Sequence, residues 1–194
     1  MSHQDSIVQR VCKYTHFRVY PLMIFLLFLF LAQSIFSQNT WNKHLLGDRN
    51  TYISFPNPPT EKRKDLHTQL GILPSYSLTY APSADDPNFL YSGQWVAYPP
   101  NTFPADSTEL ISLALHETIA ALSENLKCKI VYESEVDDAQ NMKIFRLEDV
   151  VSRQAVKGKI VIMEDQMITL TVYTTIEKSL NDSIDLFLHS LVRE

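Results

Sequence analysis

Between residues 106 and 126 the apolar spacing of this chain switches from every second residue to every third or fourth, and it then switches back. Leu110, Ala114, Thr118, Ala121 and Leu122 recur at helical intervals, which predicts an amphipathic helix. Asp106 or Ser107 stands as its cap and Glu109 lies in its first turn. On both sides of this segment the pattern alternates. Residues 51–55, 66–70, 72–80 and 89–98 read as strands before it, and residues 129–136, 142–148, 154–163 and 166–174 as strands after it. Pro56, Pro58 and Pro59 close the first strand, and Pro99 and Pro100 close the fourth, because proline supplies no ladder donor. Glu164-Asp165 makes a two-residue hairpin connection. A short closing helix follows, with Ser179 or Asn181 as cap and Leu180, Ile184, Leu186, Phe187 and Leu191 as its apolar stripe. Strands, helix, strands, helix predicts an α+β domain: an antiparallel β-sheet covered by two main helices.

The N-terminus carries a different signal. Arg10, Lys13 and Arg18 precede an unbroken apolar run over 22–31, followed by Ala32, Gln33 and Ser34. A basic region, a short apolar region and small residues at a cleavage spacing together describe an export signal. Residues 1–38 are therefore expected to be a signal peptide, residues 39–50 a linker, and residues 51–194 the folded domain. Extending the apolar run through Ile35 and Phe36 gives about 15 residues, short of the roughly 20 that span a bilayer comfortably. The alternative is an uncleaved signal anchor over 20–38. In either case the preceding positive charge keeps the N-terminus inside and sends the rest outward, to a periplasmic or secreted location.

Removal of residues 1–38 leaves 14 Lys plus Arg against 21 Asp plus Glu, a net charge of −7. Such a surface repels nucleic acid and anionic lipid. Lys62-Arg63-Lys64, the basic run of this part, is too short for a nucleic-acid footprint. It reads as a solvated turn or as an edge strand kept from aggregating by its lysines. Cys12 precedes the apolar run, so Cys128 has no partner after cleavage and reads as a small buried hydrophobe.

Three groups of residues invite chemical readings. His116-Glu117 lies on the long helix, but position 120 is Ala, so the paired imidazoles of a zinc-protease helix are missing. Glu133, Glu135 and Asp137 alternate at a strand end and should share one face, with Asp138 next. They lack the spacing and the glycine of a calcium loop. Tyr76, Tyr80, Tyr91, Trp95 and Tyr98 are dense across two strands and read as core or cross-strand pairs. Exposed together, they would instead mark a partner surface. None of the four glycines stands in a nucleophile elbow or a phosphate loop. Asn181-Asp182-Ser183 has the form of a glycosylation sequon but reads as a cap and a first-turn acid. No catalytic, cofactor-binding or metal residue is assigned on this pattern.

Several segments carry a resemblance. Residues 52–59, ending Phe55-Pro56-Asn57-Pro58-Pro59, residues 67–73 with Gly71, and residues 89–92 through Tyr98-Pro99 are similar to the opening strands of the PsbP-like family. Gln166 to Tyr173 resembles its "R-x-Y-x-L-x-V" strand, with Gln166 where the family usually has Arg. Residues 185–191 resemble its closing "x-x-F-L-x-S-F" helix. The resemblance spans about residues 50–193 and implies an α/β/α sandwich around an antiparallel sheet, with no shared catalytic residues. The expected function is an exported, non-enzymatic protein-binding or accessory module whose partner is an envelope protein. The alternative is a small-ligand carrier or an enzyme with a site of scattered residues.

Overall fold

The computed structural model describes residues 41–47, 50–104, 106–137 and 139–194; the export segment read over 1–38 lies outside them. Residues Trp41–Glu194 form one compact unit in which strand outweighs helix. The strands are β1 (Asn42–Leu45), β2 (Thr51–Phe55), β3 (Thr60–Thr68), β4 (Gly71–Tyr80), β5 (Asn88–Ala97), β6 (Lys129–Glu133), β7 (Met142–Asp149), β8 (Gln154–Met163), β9 (Gln166–Thr175) and β10 (Val192–Arg193). The helices are α1 (Thr108–Leu126) and α2 (Asp182–Leu188).

Two antiparallel meanders build the main sheet. β3, β4 and β5 follow one another, α1 crosses to the far edge, and β6 to β9 return until β9 meets β5. The order is β3-β4-β5-β9-β8-β7-β6, with every neighbouring pair antiparallel. A second sheet, β1-β2-β10, is also antiparallel.

The period of two along β9 divides the core. Ile168, Leu170 and Val172 pack with Leu46, Ile53 and Phe55 of the small sheet, Tyr91 and Trp95 of β5, and Ile184, Phe187 and Leu188 of α2. Met167 points the other way and joins Ile160, Ile162, Phe145 and Leu147 beneath Ile111, Leu115 and Ile119 of α1. Side chains one residue apart on a strand leave opposite faces, so both faces of the main sheet are covered. One cover is α1; the other is α2 together with the small sheet. The small sheet corrects the expectation that two helices alone cover the main sheet.

The long helix lies where its spacing predicted, but its core-facing stripe is Ile111, Leu115 and Ile119; Leu110 and Ala121 of the expected stripe are exposed, because the face that packs on the sheet is turned by one residue. Ser107 occupies the N-cap position, yet its side chain makes no capping bond. The β8–β9 hairpin secures the helix entry instead. Asp165 accepts hydrogen bonds from the Asn101 N–H at 2.9 Å and the Phe103 N–H at 3.3 Å, and its carbonyl accepts from Tyr98 N–H at 2.8 Å. α1 ends where Lys127 turns left-handed and Ser123 Oγ donates to the Cys128 carbonyl at 2.6 Å. Cys128 is half-buried against the α1 cluster, and burial, with Asp149 nearby, pushes its thiol pKa up.

Other expectations need correction. The linker over 39–50 contains β1, and Leu46 is fully buried. β1 is an edge strand exposed along most of its length, so no apolar alternation betrays it. β3 begins six residues before the strand read at 66–70 and runs through Lys62-Arg63-Lys64, which therefore lie on an edge of the main sheet. Arg63 stacks 4.8 Å from the centre of the Tyr76 ring. The strand read as 129–136 ends at Glu133. Asn181 caps α2, accepting from Ile184 N–H at 3.2 Å, but the stripe differs. α2 spans seven residues; Leu180 is 82% exposed and Leu186 is 50% exposed, while Leu188 is buried.

The aromatic residues are core and cross-strand pairs. Trp95 and Tyr91 are buried. Tyr76 meets Trp95 edge to face at 5.0 Å, and Tyr80 stacks on Tyr91 at 6.1 Å. Tyr98 packs on Phe103 on the α1 side. Burial pushes the Tyr91 hydroxyl pKa up to about 12, against an ordinary value near 10. Trp95 Nε1 donates to Gln166 Oε1 at 3.0 Å, so Gln166 satisfies the one polar atom of the largest buried side chain.

Candidate functional site

A single extra residue builds the site. β6 pairs with β7 so that Lys129 meets Glu148 and Ile130 meets Leu147. Val131 is then bulged, and the register resumes one residue later with Tyr132 opposite Arg146 and Glu133 opposite Phe145. A shift of one residue exchanges the faces of a strand. Without the bulge Glu133 would leave the sheet on the side away from α1. With it, Glu133 shares the face of Phe145 and Leu147, beneath the helix.

Lys143, two residues before Phe145 on β7, is on that face too. Its Nζ donates to Glu133 Oε1, and both side chains are largely buried. From above, His116 of α1 brings Nδ1 to 3.0 Å from Glu133 Oε2 and 3.1 Å from Oε1. The result is a Lys143–Glu133–His116 chain running from sheet to helix. Burial alone would raise the Glu133 pKa. The hydrogen bonds and charges of Lys143 and His116 outweigh it and hold the carboxyl below its usual range. A half-exposed imidazole with one nitrogen held by a carboxylate keeps the other for proton transfer or hydrogen bonding.

The chain lies at one end of a groove of about 670 Å³ between α1 and the segment after β6. Its walls are mixed. Glu109 and Glu135 bring exposed carboxylates, Thr108 and Ser112 bring hydroxyls, and Leu113 and Val136 bring apolar surface. Leu113 is 55% exposed.

Residues singled out separately in the sequence thus come together only in part. His116 and Glu135 line this groove, and Glu133 lies behind it, held by His116 and Lys143. Glu117 is exposed on α1 and outside the groove lining. Asp137 forms an isolated bridge with Met142, and Asp138 is outside the described residues. The expected common face of Glu133, Glu135 and Asp137 is corrected, because the strand stops at Glu133. Among the described residues no cluster of three or more His, Cys, Asp and Glu has the arrangement of a metal site. Lys143 was missed, since a lysine flanked by Met142 and Ile144 carries no signal of its partner Glu133, ten residues earlier on the preceding strand.

Comparison with protein-family models and with curated proteins finds no match. The chemistry of the groove therefore rests on its own residues. It offers carboxylates at the rim, an apolar wall, and a buried ion pair that fixes the imidazole at its end.

Proposed function

We propose that this chain is an exported, non-enzymatic binding module of PsbP-like fold, acting at the cell envelope on a partner protein. Residues 1–38 supply the export signal, cleaved or kept as an anchor, and the acidic domain works outside the cytoplasm. The observation that carries the binding reading is the groove beside α1. Exposed Leu113 and half-buried Val136 adjoin the carboxylates of Glu109 and Glu135. Apolar surface flanked by like charges suits a partner segment that presents an apolar side chain next to Lys or Arg. The layered core on both faces of an antiparallel sheet supports the PsbP-like reading, and the resemblance of residues 50–193 motivates it.

Leu113→Asp tests this reading without touching the core. In intact cells expressing the full chain, crosslinking is expected to recover one reproducible envelope protein with the wild type and to lose it with Leu113→Asp at unchanged thermal stability. Equal recovery with both forms, or no envelope protein with either, contradicts it.

One observation favours the second reading, an enzyme or small-ligand carrier. The carboxylate-held imidazole of His116 shares its groove with the Ser112 hydroxyl one helical turn earlier. A pairing of base with base-orienting carboxylate is the usual arrangement in general acid–base sites.

A further inference from the structure

The face of the main sheet away from α1 carries a second groove, built around Lys159. On β8, Lys159 lies between Leu170 of β9 and Ile144 of β7 as cross-strand partners. Its stem therefore rests in an apolar row that begins in the core. The cations around it are paired. Arg146 meets Glu148, Lys157 lies 3.7 Å from Asp185, Arg193 lies 2.9 Å from Glu164, and on the opposite face Lys143 meets Glu133. Among the described residues the Lys159 ammonium has no hydrogen bond and no carboxylate within ion-pair distance. Asp137 acts on it only at longer range, and burial holds its pKa below that of an ordinary lysine. A partly buried charge without a counter-ion is costly.

A groove of about 380 Å³ opens beside it, at the small end of the roughly 300–1,000 Å³ typical of ligand pockets. The side-chain amides of Gln140 and Asn141 bring hydrogen-bond donors, Arg193 and Glu164 line it as an ion pair, and Val161, Met163 and Leu191 bring apolar surface. We infer that this groove binds a small organic carboxylate with a short apolar chain, its carboxylate meeting the Lys159 ammonium and its chain lying along Val161, Met163 and Leu191. The apolar wall distinguishes such a ligand from an inorganic anion, and the Lys159 ammonium, which among the described residues meets no carboxylate at ion-pair distance, distinguishes it from an amine. The groove is on the other side of the sheet from His116, so the inference is independent of the docking reading.

Calorimetric titration of the full 194-residue chain with hexanoate, hexylamine and inorganic phosphate tests it. Hexanoate is expected to bind at one site per chain and hexylamine not at all, with phosphate at least about tenfold weaker than hexanoate. Lys159→Met is expected to weaken hexanoate about tenfold or more, the scale of one lost charge-assisted contact, while Lys159→Arg retains most of the binding. The arginine variant also keeps the test open if the methionine variant fails to fold. No hexanoate binding, equal binding of phosphate, or hexanoate binding unchanged in Lys159→Met would overturn the inference.

Discussion

Gly158 lies under the ring of Phe145, its cross-strand partner. A Cβ there would fall inside the van der Waals envelope of Phe145 and 2.9 Å from the Leu170 carbonyl. Overpacking of this kind costs about 1–3 kcal/mol. Gly158→Ala is therefore expected to lower the unfolding free energy, read by urea denaturation, by that much, and Gly158→Ala with Phe145→Leu to recover part of it. Gly47 is constrained twice, by a left-handed φ of 84° and by the Trp95 indole, which a Cβ would approach to 2.7 Å. At the site itself, the Glu133 pKa is depressed in the fold. The sign follows from proton linkage. A depressed carboxyl pKa contributes stability that is present above the unfolded value, near 4.3, and is lost as pH falls through the folded one. Wild type is expected to lose more stability than Glu133→Gln between pH 6 and pH 3, as read by urea unfolding at each pH. Parallel pH profiles would place the ion pair outside the stability of the fold. None of these three contacts is legible in sequence: Gly158 and Phe145 are thirteen positions apart, and the bulge at Val131 that turns Glu133 inward has no residue signature.

Elements with at least one buried face were the legible ones. α1 was legible as a helix from its spacing, although the buried stripe is Ile111, Leu115 and Ile119 and not the one read through Leu110 and Ala121, which are exposed. β8 and β9 read as strands because they are β-branched and lie in the centre of the sheet. Elements without a buried face were not legible. β1 and β3 are exposed along most of their length, and the charged run of β3 masks an edge strand whose lysines discourage sheet-to-sheet contact. The apolar stripe over 180–191 was misread for a related reason, since a helix of seven residues buries only Ile184, Phe187 and Leu188. Its cap was readable in the sequon-like Asn181. Asn181 holds the helix start and exchanges hydrogen bonds with the Asn88 amide at 3.1 and 3.3 Å. Asn181→Ala is expected to cost about 1 kcal/mol through the lost cap. Amide exchange would then accelerate first at Ile184, whereas uniform acceleration across the domain would assign the loss to the Asn88 contact.

At the scale of the molecule, two meanders meet along β5 and β9, and each face of the resulting sheet carries its own core. That arrangement explains why two grooves on opposite faces have unrelated chemistry. One is an acidic, partly apolar groove ending at His116; the other surrounds Lys159. It also explains the limit of sequence reading. An α+β class with an antiparallel sheet follows from the order of periods along the chain. The small sheet does not, because β10 is two residues long and pairs with β2 across the whole length of the domain. The account's central claim is that the groove beside α1 docks a protein at the envelope. A photo-crosslinking side chain placed at Leu113 of the full chain in intact cells tests it most directly, with the same group at exposed Ile72 on the β3–β4 hairpin as control. The account predicts one envelope protein crosslinked from position 113 and not from position 72. The same products from both positions, or none from position 113, would contradict it.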